Sequence, residues 1–70
     1  MAKWTIEPLS ETGSMERAPT EVTARTALAA AKKVLKENLH TDHARGGRLR
    51  ARAIRQTEAG DPPEIVYLYR

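Results

Sequence analysis

Arg48-Leu49-Arg50-Ala51-Arg52-Ala53-Ile54-Arg55 is the stretch on which the fold turns. Arginine alternates with an apolar residue through Ala53. A period of two is that of a strand with one face buried and the other in water. The arginines belong to the wet face and Leu49, Ala51 and Ala53 to the core. At Ala53-Ile54 the phase slips by one. A β-bulge, one extra residue in the strand, would restore it. The expected bulge at Ala53-Ile54 turns Ile54 inward and aligns Arg48, Arg50, Arg52 and Arg55 outward. It also tends to carry the following tyrosines to the opposite face.

Downstream, residues 58–63 read Glu-Ala-Gly-Asp-Pro-Pro, strong turn chemistry. Ile65, Val66, Tyr67, Leu68 and Tyr69 then form an unbroken run of β-formers. A run apolar on both faces is expected of a central strand, or of one covered by a partner. The short connection predicts an antiparallel hairpin.

Upstream, Gly46-Gly47 closes a polar link that starts at His40. Before it, residues 21–39 are rich in alanine, leucine and lysine, all strong helix formers. Val22, Ala24, Ala27, Leu28, Ala31, Val34, Leu35 and Leu39 fall on one stripe at helical spacing. Arg25, Lys32, Lys33 and Lys36 lie mostly opposite and read as solvated helix surface. The spacing predicts an amphipathic helix of about 19 residues, roughly 28 Å long, with Thr20 as N-cap. Residues 10–19 read as a long loop turning at Gly13-Ser14, with Met15 folded back on the core. Such a loop is a candidate mobile or binding segment. Trp4 and Ile6 alternate with Thr5 and Glu7 in a first strand. Pro8 marks its end or an edge position.

The expected architecture is therefore α+β with the order β-α-β-β. One long amphipathic helix packs on one face of a three-stranded sheet that ends in an antiparallel hairpin. Seventy residues allow one domain, residues 1–70. A core this small supplies roughly 3–5 kcal/mol. There is no cysteine, so neither a disulfide nor a thiolate metal site supplements it. The cysteine-free chain opens directly into a strand and contains no long apolar run. A cytoplasmic protein with no membrane partner is expected.

The net charge is +3 and is unevenly placed. Residues 41–57 hold five arginines against one aspartate, whereas residues 58–70 hold three acids against one arginine. A localised basic segment suits a polyanion. Arginines two apart on a strand can each fork onto phosphate oxygens. If Tyr67 and Tyr69 share their face, rings for base stacking lie beside them. The candidate partner-binding residues are Arg48, Arg50, Arg52, Arg55, Tyr67 and Tyr69. The plainer reading is a solvated face with cross-strand pairs to acids such as Glu7.

His40-Thr41-Asp42-His43 is too sparse for a structural metal site and reads as a polar helix exit. No P-loop, dinucleotide fingerprint or nucleophile elbow is present. Ser10 and Ser14 have no paired base. No catalytic residue, metal or cofactor is expected. The sequence points to a small non-enzymatic binding module with a basic sheet face, for nucleic acid or an acidic protein. The alternative is a homo-oligomeric structural or protein-interaction module that associates through its last strand.

Overall fold

The computed structural model describes residues 2–57 and 61–70, with the side chain of His43 outside the description. Its elements are β1 (Ala2–Pro8), β2 (Thr20–Ala24), α1 (Ala27–Leu35), a 3-10 turn (His43–Arg45), β3 (Leu49–Arg55) and β4 (Glu64–Tyr69). The strands form one antiparallel sheet in the order β2-β1-β3-β4. The α+β class, the single helix and the C-terminal hairpin agree with the sequence reading. The sheet has four strands rather than three, and residues 58–60 of the hairpin connection lie outside the described residues.

The extra strand comes out of the expected helix. Thr20, Val22 and Ala24 pair with Ile6, Trp4 and Ala2, while Glu21 and Thr23 point the other way. Two β-branched threonines and a valine in five residues favour an extended chain. Pairing with β1 then overrides the alanine-rich helical pattern. The helix begins six residues later than Thr20 would have it. Thr26 is the N-cap, its hydroxyl accepting from the Ala29 N–H at 3.1 Å.

The helix is also shorter than expected, at nine residues. It stops at Lys36, which takes a left-handed conformation (φ 55°, ψ 37°) and returns its N–H to the Lys32 carbonyl. A side chain in that region costs roughly 1–2 kcal/mol. The reversal delivers Leu39 to the core, where it is buried, and brings Glu37 to Arg50. Those two contacts offset the strain.

Helix and sheet enclose Trp4, Ile6, Ala24, Ala27, Ala30, Ala31, Leu35, Leu39, Ala51, Ala53 and Leu68. Alanines on both layers let them approach closely. The helix lies chiefly across β2, β1 and β3, and only its margin reaches β4. Met15 does not join this core: it is 49% exposed, and only its backbone bridges back, to Leu9.

Pro8 ends β1, as expected, but β1 is central rather than an edge. The Leu9 N–H donates to the Arg50 carbonyl. Alternation along an antiparallel strand then points the backbone of Glu7 and Thr5 to β3 and that of Pro8, Ile6 and Trp4 to β2. β2 starts at Thr20, opposite Ile6. The missing donor of Pro8 therefore faces no ladder partner, and its carbonyl accepts from Glu16 instead.

The bulge sits elsewhere than expected. Pairing of β3 with β4 is regular from Ala51↔Leu68 through Arg55↔Glu64, and shifts between Leu49 and Ala51. Beyond the shift, Arg48 and Arg70 exchange both backbone hydrogen bonds. Gly47 makes this junction possible. It holds φ at 105°, and a Cβ there would collide with the Arg70 carbonyl oxygen.

Replacing Lys36 by glycine, which adopts the left-handed conformation freely, should stabilise the domain by about 1 kcal/mol. A thermal melt should rise by about 4–8 °C. An unchanged or lowered midpoint would contradict the strain assigned to Lys36.

Candidate functional site

The four arginines of residues 48–55 do not form one basic face. Moving the bulge to the Arg50 position separates them. Arg48 closes the strand end against Arg70 through its backbone. Arg50 is buried, with 6% of its surface exposed. Arg52 lies on the outer face of the sheet, away from the helix. Arg55 lies on the helix face, in phase with the buried Ala51 and Ala53.

Arg50 draws three chain segments together. Its Nε and Nη2 fork onto the Glu37 carboxylate at 3.2 and 3.0 Å. Its Nη1 donates to the Leu9 carbonyl at 3.0 Å. Glu16, from the loop between β1 and β2, lies 3.2 Å from Nη1. A buried guanidinium is tolerable only when paired and hydrogen-bonded. The Arg50 hydrogen bond holds the Glu37 carboxyl below its ordinary value, opposed by burial and assisted by the charges of Arg50, Arg70 and Arg48. Glu37 in turn raises the Arg50 pKa. Arg50 is thus a structural clamp, and the loop of residues 10–19 is tied to the sheet through Glu16.

The other two arginines are also engaged. Arg52 Nη2 stands 2.7 Å from Glu7 across β3 and β1. This is an ion pair by proximity rather than an aligned hydrogen bond, and it is the cross-strand pair expected with Glu7. Arg55 Nη2 donates to Glu64 at 2.6 Å, and its guanidinium lies 5.7 Å from the Trp4 ring centroid. Arg55 and Trp4 line an open groove of about 490 Å³ beside the start of α1, with Thr26, Leu28, Glu64 and Val66. Of its two arginines, Arg25 and Arg55, the second is already paired with Glu64.

The tyrosines share the outer face of β4, on the same side as Arg52 rather than opposite it, but have different neighbours. Tyr67 is the direct neighbour of Arg52 on the outer face. Tyr69 stacks on His40, ring centroids 5.9 Å apart, and the two residues exchange backbone hydrogen bonds at 2.9 and 2.8 Å. His40 therefore belongs to the sheet margin rather than to a ligand cluster. Asp42 accepts from the Ala44 N–H and starts the 3-10 turn. Among the described residues no group of three side chains is placed to hold a metal ion. Among them, too, no helix is long and apolar enough to cross a membrane.

What the structure does assemble is an apolar margin at β4. This strand is an edge, so the first of the two readings of its composition, a central strand, does not hold; the second, a strand covered by a partner, stays open. Val66 and Leu68 face the helix, and the alternate residues Ile65 and Tyr67 face outward, each 45% exposed. Ile54 lies opposite Ile65 and extends the patch. The apolar composition of both faces had suggested burial on both. The single helix covers only one of them.

Among the described residues, the backbone of this edge is open at two. Arg70 points to Arg48, and Tyr69 points outward to His40. Alternation then directs Leu68, Val66 and Glu64 to β3, and Tyr67 and Ile65 outward. His40 covers the Tyr69 position, which leaves Ile65 and Tyr67. The opposite edge is treated differently. On β2 the Thr23 carbonyl accepts from Lys33 Nζ at 3.0 Å, and Glu21 pairs with Lys3 at 3.5 Å. Lysine and charge at an edge discourage further pairing. β4 has neither at Ile65 or Tyr67.

Arg50→Ala would strand Glu37 in a half-buried position and release Glu16. It should cost about 2–4 kcal/mol, most of the stability of so small a domain, read by urea unfolding. Arg50→Lys should recover only part of it, since an ammonium cannot fork. The depressed Glu37 carboxyl contributes stability that is complete above its ordinary value of 4.5. That contribution is lost as pH falls through the lower folded value. Glu37→Gln should therefore flatten the acid limb of the stability profile; an unaltered limb would contradict the assignment.

In comparisons with known proteins, no family model matches the chain, and neither a curated protein nor a solved structure matches it significantly.

Proposed function

We propose that this chain is a small non-enzymatic interaction module whose partner docks by pairing with the β4 edge. The open backbone of Ile65 and Tyr67, beside their exposed side chains, carries the reading. An unprotected apolar edge is a template for another strand. Main-chain hydrogen bonds supply affinity there, and the side chains on the outer face supply selectivity. The guarded β2 edge shows what the same sheet does where pairing is blocked.

Nucleic-acid binding keeps one supporting observation. Arg52 and Tyr67 are neighbours on the outer face, a cation beside a ring. Against it, Arg52 is paired with Glu7, and Arg50 and Arg55 are held by other carboxylates. Three of the five arginines of residues 41–57 are thereby paired with carboxylates, which weakens the positive patch.

Panning a library of extended peptides on the immobilised domain tests the edge. Ile65→Lys and Tyr67→Lys replace exposed residues and should leave the circular dichroism unchanged. Each should weaken the selected peptides at least about tenfold, the scale of one interface hot spot. Peptide binding indifferent to both substitutions would overturn the proposal. Titration with single-stranded oligonucleotides decides the second reading. Affinity that falls steeply with salt and is lost in Arg52→Ala would favour it.

A further inference from the structure

We infer that the strand which docks on β4 is β4 of a second copy, antiparallel, with Val66 on the two-fold axis. The inference rests on the edge-pairing reading above and gives it a partner and a register.

The register follows from the backbone. Only Ile65 and Tyr67 offer outward N–H and C=O groups between the start of β4 and the position held by His40. In an antiparallel pair, outward residues must stand opposite outward residues. Centred on Ile65, the pair would set Tyr67 opposite Pro63, which has no N–H to donate; centred on Val66, it sets Ile65 opposite Tyr67 of the second copy, twice, with Val66 opposite Val66. The next register, centred on Tyr67, places Ile65 opposite Tyr69. His40 already occupies that position, so this register requires breaking a bridge in each copy. A two-fold dimer centred on Val66 makes four new backbone hydrogen bonds and breaks none.

The side chains agree with it. On the outer face each Ile65 lies against a Tyr67, so both large exposed apolar groups of β4 are covered. On the helix face the two Val66 side chains meet. Each lines the groove that α1 leaves open beside Trp4 and Leu28, and the two grooves then adjoin across the axis. Antiparallel pairing also brings the exposed Asp61 of one copy toward the exposed Arg70 of the other, opposite charges near each end of the seam. Glu64 and Arg70 keep their partners within each copy, Arg55 and Glu37. The result is a continuous eight-stranded sheet with both helices on one side. With two open residues per edge the contact falls below the roughly 1,200 Å² of stable complexes. The dimer is accordingly one that dissociates on dilution.

Disulfide trapping tests this directly, because the chain has no cysteine of its own. Val66 opposite Val66 is a non-hydrogen-bonded pair, with Cα atoms about 4.5 Å apart, inside the range a disulfide spans. Oxidised under identical conditions, Val66→Cys should form covalent dimer about tenfold faster than Thr23→Cys, a cysteine on the guarded edge. Tyr67→Cys reports the competing register. Light scattering of the unmodified chain should show mass rising with concentration, and Ile65→Lys should abolish the rise. This second measurement stands even if Val66→Cys fails to fold. Trapping of Val66→Cys no faster than Thr23→Cys, or fastest trapping at Tyr67→Cys, overturns the proposed register. A mass that stays monomeric overturns the second copy as partner. In that case, amide-exchange protection of Ile65 and Tyr67 by a selected peptide would preserve the edge reading; no protection would end both.

Discussion

The buried guanidinium of Arg50 fixes more of this molecule than any one apolar contact. Three segments distant in sequence meet on it: the end of β1 at Leu9, the first loop at Glu16, and the exit from α1 at Glu37. A charge withdrawn from water must find its partners in the protein. The chain supplies them by reversing sharply at Lys36 and by leading a long loop back past Pro8. The bulge belongs to the same solution. A regular strand from Arg48 to Ala51 would give each position its ordinary alternation. The extra residue at this point frees Arg50 from it and shifts the ladder, so that Arg48 meets Arg70.

That shift sets the character of both surfaces of the C-terminal hairpin. Past it, Ala51 and Ala53 face the helix with Leu68 and Val66, and Arg52 and Ile54 face outward with Tyr67 and Ile65. The same alternation decides which backbone groups are open at the edge. Edge exposure and side-chain exposure therefore coincide at Ile65 and Tyr67. On β2 they coincide at Glu21 and Thr23, which are polar and attended by lysines. Two edges with the same geometry thus carry opposite chemistry.

Local periodicity made part of this legible. Trp4 and Ile6, the alternating β3, the terminal hairpin and most core residues can be read from patterns a few residues long. Val22 and Ala24 could be assigned to the core but not to the right element. Their spacing suits a helix face as well as a strand, and only pairing with β1 distinguishes the two. The start of α1 had a local signal in Thr26, directly before the alanine run, yet Thr20 offered the same signal earlier. Lys36 gave none, since its left-handed turn answers to Leu39 and Arg50. The site was less legible because its determinants are remote in sequence. His40 meets Tyr69 across 29 positions, and the partners of Arg50 are 13, 34 and 41 residues away. The phase slip at Ala53-Ile54 was a real signal whose meaning was reversed. Arg55 remains on the helix face, held by Glu64 and the Trp4 ring, so no bulge is needed there.

The charge distribution illustrates how a sequence can overstate a surface. Residues 41–57 carry a surplus of arginine that invites a polyanion. Folding brings acids to Arg50, Arg52 and Arg55 from four other places in the chain: Glu7 from β1, Glu16 from the first loop, Glu37 from the helix exit and Glu64 from β4. A segment's net charge predicts a field only if its counter-charges stay away, and here the topology gathers them. Attraction for phosphate is weakened by each such pair, because a ligand must compete with a carboxylate already in contact. The apolar margin of β4 has no equivalent compensation. Helix α1 lies toward β2, and no described element covers Ile65 or Tyr67. The surface with the most to gain from a partner is therefore the one beside the arginines, on the strand whose hydrophobicity had suggested it was already buried.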